Sequence, residues 1–548
     1  MSKYGFFKSG AVPAFLLHKK RCAMKEENKV TLQYPLRGRK RILTNVREIN
    51  AENIGDILSK AYSAHQKVAT EIEYLLQYKT GSQDLKRPKE IRPEIDIHDV
   101  DNLADYITWF HTAFFWSVAP TLVQRSDSDM HETDAKADDA GINAMNEMLM
   151  NGEGLGRKDI TLAEYVETCG IGHRMVDIKT ADEFSEDEPL KNKYGKFVGS
   201  LVHIYPLDSR YAFCVYYNGP GRKKLMGVTY AKTDAGNVFT CFTDKSRFDI
   251  SGQFGDDLRV VESPNLLKMI PIFEYERAED RSGCFEKQID ALDALNTVNS
   301  DFDNDMAQNV QQIWWGNDVD FTDPETGKES RPQSNDWVLT HSGASKNPKI
   351  QPLASTLDRT AALSVIKEKR STILNNARVP IQYEQEGGGS TGVAMSMSTG
   401  WSAAQIDADL KEAMVKDTRR EELKCIIRAI SFVPESVLPI DADIRNVHEA
   451  DVDFHFFRNQ NYDLTTKMNA FATGLKSGIH GRHLLNMIKA FPDNEAVWMD
   501  SREMIESYQK SVCKPETSTE SEQKVDNERS IQDISDQREN SVLLDFAR

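Results

Sequence analysis

The residues most suggestive of chemistry lie in one short run, EGGGSTG at residues 386–392. Gly387, Gly389 and Gly392 match the spacing G-x-G-x-x-G, in which glycines let the backbone approach the pyrophosphate of a dinucleotide. Such a site also needs a strand before the run and a second strand that ends in an acid about twenty residues later. The residues after Gly392 instead have the pattern of one long helix, so the sequence argues against a dinucleotide site.

The same run also matches G-x-S-x-G, the strand-to-helix turn that exposes a nucleophilic serine in α/β-hydrolases. Ser390 would be the nucleophile, and Asp441 followed by His480 or His483 would supply the other two groups in the required order. The alternating β-α pattern of a hydrolase sheet is absent from the sequence. A serine hydrolase that uses Ser390 is therefore the enzymatic alternative, and a flexible hinge between two helices is the preferred interpretation.

The remaining chemistry-bearing residues do not form a known site. No run of the form G-x-x-x-x-G-K-[ST] occurs, which excludes a motor of the P-loop class. The seven cysteines contain no C-x-x-C pair, and among the histidines only His480 and His483 have even a partial ligand spacing. The acidic stretch Asp127–Asp139 begins like a calcium loop but has Glu132 where that loop needs glycine. We therefore expect no cofactor and no metal.

The charge balance separates the chain from proteins that grip nucleic acid tightly. It has 548 residues, with 68 Lys plus Arg against 85 Asp plus Glu, and a net charge of −17. Tight binding of nucleic acid relies on basic residues that neutralise phosphates, so any contact with DNA must be local or weak. The scattered cysteines and the lack of a signal peptide predict a cytoplasmic setting. Residues 106–124 lack charged side chains, but His111 and Pro120 favour a buried helix over a membrane span, and we expect no membrane contact.

The first half of the chain is predicted to be helical and then β-rich. The first 50 residues hold twelve Lys or Arg against three Glu, which predicts a basic arm, either a solvated tail or a clamp on an acidic partner or nucleic acid. Apolar spacing predicts helices over residues 53–78 and 101–118. From about residue 161 to residue 276, short β-branched and aromatic runs predict an antiparallel β domain, because the connections are too short for crossover helices.

The second half is predicted to contain long helices around a small β module. Residues 285–313 predict a helix of about thirty residues, about 45 Å long, with a strongly acidic exposed face. Residues 314–355 predict a small β-hairpin module, and residues 357–376 predict a shorter basic helix. A third long helix is predicted over residues 402–430, with one apolar face made of Ile406, Leu410, Ala413, Met414, Leu423, Ile426 and Ile427. One strand-like run at residues 452–457 and three short helices follow, and the polar residues from 513 onward predict disorder.

Several stretches of sequence occur together with this order of parts. They are IPIFEYE at 270–276, GCFEKQIDALDALN at 283–296 with Ser300-Asp301 and Asn304-Asp305 after it, HIYPLD at 203–208 leading to YYN at 216–218, and STGVAM at 390–395. In combination they resemble the portal proteins of tailed double-stranded-DNA bacteriophages, in their siphophage branch. The resemblance covers roughly residues 50–510. The basic arm before Thr44, the acidic loop at 127–139 and the tail after Cys513 depart from the family pattern.

The resemblance implies an α+β portal fold that assembles as a ring. Its parts would be a basic amino-terminal arm at 1–43, a wing that is helical and then β-rich at 44–276, a first stem helix at 277–313, a small α/β clip at 314–355, a second stem helix at 356–376, a tunnel loop at 377–400, a long wing helix at 401–433, a helical crown at 434–512 and a disordered tail at 513–548.

The resemblance also implies a function and partners. About twelve copies would form a ring at one vertex of the capsid, and the double-stranded DNA genome would be packaged and ejected through its centre. The terminase large subunit and later the head-tail adaptor would dock on the clip, and scaffold and major capsid protein would meet the wing. The chain would be found in the virion, at the portal vertex, and in the host cytoplasm during assembly. A capsid or adaptor protein without a channel is the structural alternative.

The resemblance assigns roles to three groups of residues. The DNA channel at the tunnel loop would present Arg378, Glu384, Glu386, Gly387, Gly388, Gly389, Ser390, Thr391 and Gly392. The stem lumen would present Asp290, Asp293, Asp301, Asp305, Lys367, Lys369 and Arg370. The clip would offer Trp314, Trp315 and Trp337 to its partners. An acidic lumen would repel DNA and ease its passage, whereas the alternative is that several stem acids pair with the basic residues of the second stem helix.

Overall fold

The computed structural model describes residues 38–83, 95–124, 141–179, 183–184, 199–233, 236–254, 258–310, 313–322, 325–327, 337–341, 348–353, 359–381, 400–433, 444–458, 464–488 and 494–512. The chain divides into two compact units, Met1–Asn459 and Gln460–Arg548. The helices of the first unit include α1 (Ile54–Lys79), α2 (Leu103–His111), α3 (Leu155–Cys169), α4 (Ile289–Val310), α5 (Arg359–Asn376) and α6 (Trp401–Ser431). Its strands are β1 (Ile42–Thr44), β2 (Thr121–Gln124), β3 (Ile171–Ile178), β4 (Val202–Leu207), β5 (Ala212–Tyr217), β6 (Lys224–Thr233), β7 (Gly236–Phe242), β8 (Ser246–Ser251), β9 (Arg259–Pro264), β10 (Ile272–Glu276), β11 (Ile313–Asn317), β12 (Trp337–Thr340), β13 (Lys349–Leu353) and β14 (Val452–His455).

The β-rich part of the wing contains a six-stranded sheet with the order β1-β5-β6-β7-β8-β9. Strands β5 to β9 form an antiparallel meander, as the short connections predicted, and β1 joins its edge in parallel with Ile42 opposite Val215. The first half of α1 covers one face of this sheet, because Ile54 and Leu58 are fully buried against its apolar side chains. The β domain that was predicted to begin near residue 161 begins at Ile171, since residues 155–169 form α3.

A second, three-stranded antiparallel sheet has the order β10-β3-β4, and both α3 and α6 pack on one of its faces. The largest apolar cluster of the chain joins these elements, with Leu162 and Val166 of α3 and Phe273 of β10 fully buried. A third cluster joins the second half of α1 to α2, α4 and α5, so α1 links the wing sheet to the predicted stem.

Residues 38–44 belong to the folded unit and not to a solvated arm, which moves the boundary predicted at residue 43. The Arg39 side chain is fully buried, and its guanidinium lies 2.6 Å from a carboxylate oxygen of Glu286 and 2.8 Å from one of Glu71. A buried, doubly paired arginine fixes this segment against α1 and the residues before α4. Residues 1–37, which hold most of the basic arm, lie outside the described residues.

The two predicted stem helices are antiparallel neighbours. Arg359 at the start of α5 lies 4.0 Å from Asp305 near the end of α4, and Asn376 at the end of α5 bonds Gln288 just before α4. Helix α4 has 22 residues and is therefore about 33 Å long, shorter than predicted, because the chain turns into β11 at residue 313.

The module between the stem helices is a three-stranded sheet and not the predicted hairpin. Strand β11 lies in the middle, parallel to β12 and antiparallel to β13. The parallel pairing brings Trp314 directly beside Trp337, and their rings stack with centroids 5.9 Å apart. Of these three strands the sequence pattern located only β12, and it could not predict a pairing between residues this far apart in the chain.

Helix α6 has the predicted length, but its amino-terminal half presents the opposite face to the interior. Ile406 and Leu410 are 60% and 64% exposed, whereas Asp407 and Lys411 are buried. The apolar face predicted from the sequence is buried only in the carboxyl-terminal half, at Leu423 and Ile426. The reason is that buried charged partners on other elements hold α6 in this rotation.

One such partner group lies where α6 crosses β3 and β10. Arg174 of β3 donates two hydrogen bonds to the carboxylate of Glu422 and a third, of 2.6 Å, to Asp159 of α3. Arg419 donates to the same oxygen of Asp159 at 2.6 Å, and the Tyr275 hydroxyl bonds Glu422. These four charged side chains are at most 3% exposed, and their formal charges sum to zero. A buried cluster of this kind is tolerated because its charges compensate one another.

The aromatic stretch at residues 106–124 is folded into the interior. It comprises the end of α2, a wider π-type turn at Thr112–Trp116 and strand β2, which pairs with β14. Phe114, Phe115 and Trp116 are buried in the largest apolar cluster. Within the described residues, every helix is too short or too polar to cross a lipid bilayer.

The described residues of the second unit form three helices, α7 (Leu464–Lys476), α8 (Gly481–Ile488) and α9 (Asn494–Val512). Leu475, Leu484, Leu485 and Trp498 are its buried apolar side chains among those described. The His480 ring lies 4.9 Å from the Trp498 ring, a packing role for this histidine. The three helices agree with those predicted from the sequence.

We predict that Glu422→Gln lowers the free energy of unfolding of the first unit by about 3–5 kcal/mol, because it leaves two buried guanidinium groups with one carboxylate. Urea denaturation followed by circular dichroism at equal protein concentrations measures the effect. Glu48→Gln, which breaks a solvent-exposed pair with Lys245, is the control and should leave the midpoint almost unchanged. An equal loss in both variants would contradict the importance of the buried cluster.

Candidate functional site

The two helices that flank the predicted tunnel loop are joined by an ion pair. Arg378 follows α5 with a backbone φ of 59°, in the left-handed region that non-glycine residues rarely adopt. Its guanidinium lies 2.5 Å from a carboxylate oxygen of Asp407 on α6. The other predicted loop residues lie outside the described residues and comprise Glu384, Glu386, Gly387, Gly388, Gly389, Ser390, Thr391 and Gly392. The described chain therefore shows how the ends of this segment are held, at Arg378 and Asp407.

Asp407 is also part of a buried cluster of charges. Arg277, just after β10, lies 3.0 Å from Asp407 and 3.0 Å from Glu167 of α3. Lys411, one turn after Asp407, lies 2.5 Å from the second oxygen of Glu167, which also accepts a hydrogen bond of 2.8 Å from the Trp116 indole. The cluster thus joins α3, β10, α6 and the end of α5 through hydrogen-bonded ion pairs.

His111 adds the end of α2 to this cluster. Its Nε2 lies 2.9 Å from the carbonyl oxygen of Ala377, so Nε2 must carry the donated proton. Its Nδ1 is 3.7 Å from a carboxylate oxygen of Asp407, and the side chain is only 3% exposed. The residue before Arg378 is therefore held by a histidine, and Arg378 itself by an aspartate.

Burial and neighbouring charges set the protonation of this cluster. Burial, reinforced by the nearby Lys411 and Arg277 cations, lowers the pKa of His111 to about 4, so its imidazole is neutral at pH 7. Burial alone would raise the pKa of Glu167, but Lys411 and Arg277 outweigh it and hold this pKa at about 2. The same two cations outweigh burial at Asp407 and lower its pKa. Both carboxylates are therefore ionised at neutral pH.

Sequence reasoning assigned Arg378 to the loop but missed the rest of the cluster. Glu167, Arg277 and Asp407 are separated by more than 100 residues from one another, and hydropathy patterns treat each of them as exposed. One signal was present, namely the spacing of Asp407 and Lys411, which places an acid and a base on the same side of a helix.

Three of the four acids assigned to the stem lumen are at least partly exposed to solvent, and the fourth is buried. Asp290 and Asp301 are exposed, and Asp305 is half-buried beside Arg359. Asp293 does not fit the predicted position at the stem lumen, because it is buried and accepts a hydrogen bond of 2.8 Å from the Tyr78 hydroxyl. Its carboxylate is therefore held inside the chain by α1, which sequence spacing alone could not reveal.

Three polar residues of α4 hold the backbone of residues 97–101 by hydrogen bonds. Asn296, Ser300 and Asn304 follow one another at intervals of four and accept hydrogen bonds of 2.8–3.0 Å from backbone amides at residues 97–101. All three are buried. They occupy one side of α4, and Asp301 lies about 100° around the helix from Ser300, which leaves its carboxylate in solvent.

Among the described residues, the three basic residues named in the alternative, Lys367, Lys369 and Arg370, form no ion pair with an α4 acid. Arg370 bonds Asp101, which precedes α2. Within the part of the chain that the structure describes, Lys367 and Lys369 have no ion-pair partner. Arg359, which the sequence interpretation did not single out, is the basic residue of α5 that approaches an α4 acid.

The three clip tryptophans have different environments. Trp314 and Trp337 stack on each other, and Phe321 packs edge-on against Trp337 with centroids 4.8 Å apart. Trp315 points to the other face of the sheet, where its indole donates a hydrogen bond of 3.0 Å to Thr340. Trp314 and Trp337 thus form a small core for the module, and the Trp315 face also carries the exposed Val338.

A buried group with metal-ligand chemistry occurs between the two wing sheets. His173, Cys214 and Glu274 bring their ligand atoms within 4.8 Å of one another, the one such group among the described residues. The Glu274 carboxylate, however, is already bound by His173, Arg281 and the Tyr216 hydroxyl. Burial raises the pKa of the Cys214 thiol to about 12. A guanidinium beside the carboxylate and a protonated thiol do not fit a cation, so these residues form a structural polar cluster.

Most residues of the hydrolase alternative lie outside the part of the chain that the structure describes. Ser390 and Asp441 lie outside the described residues, as does the side chain of His483. His480 belongs to the second unit, where its ring packs beside Trp498. The described part of the chain therefore shows no base positioned for a serine nucleophile.

We predict that His111 makes the first unit less stable as the pH falls. Its pKa is about 4 in the folded chain and near 6.5 when unfolded, so the unfolded state binds the proton first, and stability present above pH 6.5 is lost progressively toward pH 4. His111→Gln, which keeps a donor for the Ala377 carbonyl, should give a shallower fall of the urea midpoint between pH 6.5 and 4.5. The exposed His98→Gln is the control and should retain the wild-type slope; equal slopes in all three proteins would contradict the prediction.

Comparison with known proteins identifies the family to which the chain belongs. The family model described as "Phage portal protein, SPP1 Gp6-like" matches residues 98–510, which include α2, the second wing sheet, both stem helices, the clip and α6. A search of curated proteins gave no match. Portal proteins are structural components of the virion that serve DNA packaging, and they are not enzymes. Because the match spans more than half of the chain, the chain belongs to the SPP1 Gp6-like phage portal protein family.

Proposed function

We propose that copies of this chain form a ring at one vertex of a phage capsid, and that double-stranded DNA is packaged and ejected through its central channel. Family membership implies an oligomeric ring and a role with DNA. The observation that carries the proposal is the position of α4 and α5 within the matched residues. They form an antiparallel pair with the clip sheet at one end and the buried Asp407 cluster at the other.

The stem would line the channel with negative charge. Asp301 is exposed, and within the described residues neither it nor the neighbouring Asp303 has an ion-pair partner. Unpaired carboxylates repel DNA phosphates, whereas basic residues would bind them and hinder sliding. Lys367 and Lys369 are the basic counterpart on α5, and a few such residues among many acids would give contacts weak enough to break as DNA moves.

The segment at residues 377–400 would form the constriction of the channel. This proposal rests on the resemblance of the chain to portal proteins and on the sequence of the segment, with Glu384, Glu386 and three consecutive glycines. Arg378 and Asp407 support it from the described side, because their ion pair and the surrounding cluster fix where the segment leaves α5 and where it enters α6. A constriction needs rigid supports of this kind if its position is to be maintained while DNA passes.

The clip would be the docking surface for the terminase large subunit and later for the head-tail adaptor. It is a small sheet between two long helices, with aromatic residues on both faces and the exposed Val338 on the Trp315 face. Aromatic and apolar residues at the centre of a small surface are typical of protein interfaces. Scaffold and major capsid protein would meet the wing, and the ring would have about twelve copies, as the resemblance implies.

Reversing one stem charge tests the channel proposal. Asp301→Lys should leave ring assembly intact, because the side chain is exposed, but should reduce the DNA packaged per capsid, since a ring of new cations would bind passing phosphates. The control is Asp417→Lys, an equally drastic change at an exposed acid of α6. Packaging is measured as nuclease-protected DNA in assembled particles. Equal packaging by the two variants and the wild type would contradict an acidic lumen at Asp301.

A second pair of variants tests the clip. Val338→Glu places a charge on an exposed strand residue of β12, and Val261→Glu does the same on β9 of the wing, where the exposed fractions are 44% and 47%. Only the clip variant should lose binding of the terminase large subunit in a pull-down on preformed rings. Loss of binding in the β9 variant, or unchanged binding in the β12 variant, would place the terminase surface elsewhere.

A further inference from the structure

Residues 96–101 run along one side of α4 and are held there by side chains of the helix. Three alternate backbone amides of this segment donate hydrogen bonds to α4, with lengths of 2.8 Å for Ile97 to Asn304, 3.0 Å for Asp99 to Ser300 and 3.0 Å for Asp101 to Asn296. Alternate amides that point to the same side are the pattern of an extended chain. We call residues 96–101 the strap, and Asn296, Ser300 and Asn304 the ladder.

The ladder has the right spacing for an extended chain. Side chains four residues apart on a helix are separated by about 6.0 Å along its axis, and alternate residues of an extended chain by about 6.6–6.8 Å. The Asn304 carboxamide also donates a hydrogen bond of 3.2 Å to the carbonyl oxygen of Ile97. It therefore binds both the N–H and the C=O of one residue, as a neighbouring β-strand would. The ladder thus binds the backbone of the strap and not its side chains.

The side chains of the strap contribute little to holding it in place. Those of residues 96–99 are exposed, with Ile97 exposed to 40%. The two ends are fixed, because Ile95 is buried and the Asn102 side chain donates a hydrogen bond of 2.7 Å to the carbonyl oxygen of Lys79. A segment between fixed ends that buries few apolar atoms can open locally while the core stays folded.

Opening of the strap would leave no polar group buried without a partner. The ladder side chains are at most 7% exposed beneath the strap. When the strap lifts, water reaches both the ladder and the strap amides and replaces the lost hydrogen bonds. Exchanging protein hydrogen bonds for bonds to water costs much less free energy than leaving the same groups buried and unpaired.

The strap is also paired with the second stem helix. Arg370 of α5 bonds Asp101, and these side chains are 46% and 27% exposed. Lifting the strap breaks this pair. Arg370 would then resemble Lys367 and Lys369, which have no ion-pair partner within the described chain. The position of the strap therefore decides whether the described residues of α5 carry two unpaired cations or three.

We propose that residues 96–101 are a releasable strap, whose opening changes the charge of the stem. The closed strap keeps Arg370 neutralised by Asp101, and the open strap frees it. The inference rests on the proposed function only where α4 and α5 form the wall of a DNA channel. Opening would then add one cation per subunit to that wall and strengthen its contact with phosphates, whereas the closed strap would keep the contact weak enough for sliding.

Hydrogen exchange of the whole chain, resolved to single amides by mass spectrometry, tests whether the strap opens as a unit. Ser300→Ala removes the partner of the Asp99 amide. The amides of Ile97 and Asp101 keep their own partners, yet both should exchange about two- to tenfold faster, because the whole strap opens more often. The amides in the middle of α1 should exchange at the wild-type rate.

The matched control is Ser63→Ala, which removes an exposed serine hydroxyl of α1 that bonds Ser59 of the same helix. It should leave the exchange of the strap unchanged. If Ser300→Ala speeds exchange at Asp99 alone, or speeds the strap and α1 by the same factor, the strap does not open as a unit and the inference is wrong.

The coupling to the charge of α5 is tested by Arg370→Gln. This variant removes a pair that exists only in the closed strap, so the amides of Ile97 and Asp101 should exchange about two- to fivefold faster. Arg359→Gln is the control in the same helix, because its partner Asp305 lies outside the strap. Equal strap exchange in the Arg370→Gln variant and the wild type would overturn the coupling.

Packaging tests the role of the strap in the channel. At equal ring yield, particles with Ser300→Ala should protect less DNA from nuclease than particles with Ser63→Ala, because more of their subunits have a free Arg370. If exchange shows an opening strap but the two variants package equally, the strap has no role in DNA passage. Exchange is measured on the chain without capsids. A chain that forms no rings would therefore contradict the proposed function and leave the exchange result on the strap standing.

Discussion

The rotation of α6, imposed by buried ion pairs on both halves of the helix, is the constraint on which the rest of the structure depends. Glu422 and Arg419 bind Arg174 and Asp159 beneath the carboxyl-terminal half, and Asp407 and Lys411 bind Arg277 and Glu167 beneath the amino-terminal half. Charges buried in this way have a high desolvation cost and are tolerated only with hydrogen-bonded partners of opposite sign. The partners lie on α3, on β3 and just after β10, so α6 can adopt only one rotation relative to these elements. An apolar interface of the same size would permit small sliding motions that these directional pairs prevent.

This constraint extends to the stem and to the segment that connects it to α6. Ala377 and Arg378 follow α5, the predicted second stem helix, and they are held by His111 and Asp407 of the same buried cluster. The stem is fixed at this end by charges and by the apolar cluster shared by α1, α4 and α5. Helices α4 and α5 become more exposed toward the predicted clip. There Asp301, Lys367 and Lys369 have no ion-pair partner within the described chain. The chain therefore has a firm support on both sides of the segment between α5 and α6, and exposed charges on α4 and α5.

Much of this architecture could be predicted from the sequence, and the failures have a common cause. Helix α1 and the β5–β9 meander follow from local periodicity, because Ile54 and Leu58 and the alternating strand residues are apolar where the fold buries them. The rotation of α6 could not be predicted, since hydropathy places Ile406 inside and Asp407 outside, and the deciding partners Glu167 and Arg277 are more than 100 residues away. The burial of Asp293 could not be predicted either, because its hydrogen-bond partner Tyr78 is far away in the chain. The parallel pairing of β11 with β12 in the clip, which brings Trp314 beside Trp337, could not be predicted for the same reason. The order of the parts, together with short sequence stretches such as those at 270–276 and 283–296, suggested the portal family, because these are read from the whole chain and not from any single contact.

A cryo-EM reconstruction of the purified, assembled protein tests the central claim most directly. The account predicts a closed ring with an open axial channel, in which α4 and α5 form the channel wall, the Asp301 carboxylates point into the channel and the clip sheets form one end of the ring. A ring whose axis is lined by the strands β5 to β9, with α4 and α5 on its outer surface, would contradict it, and so would a closed shell with no axial opening.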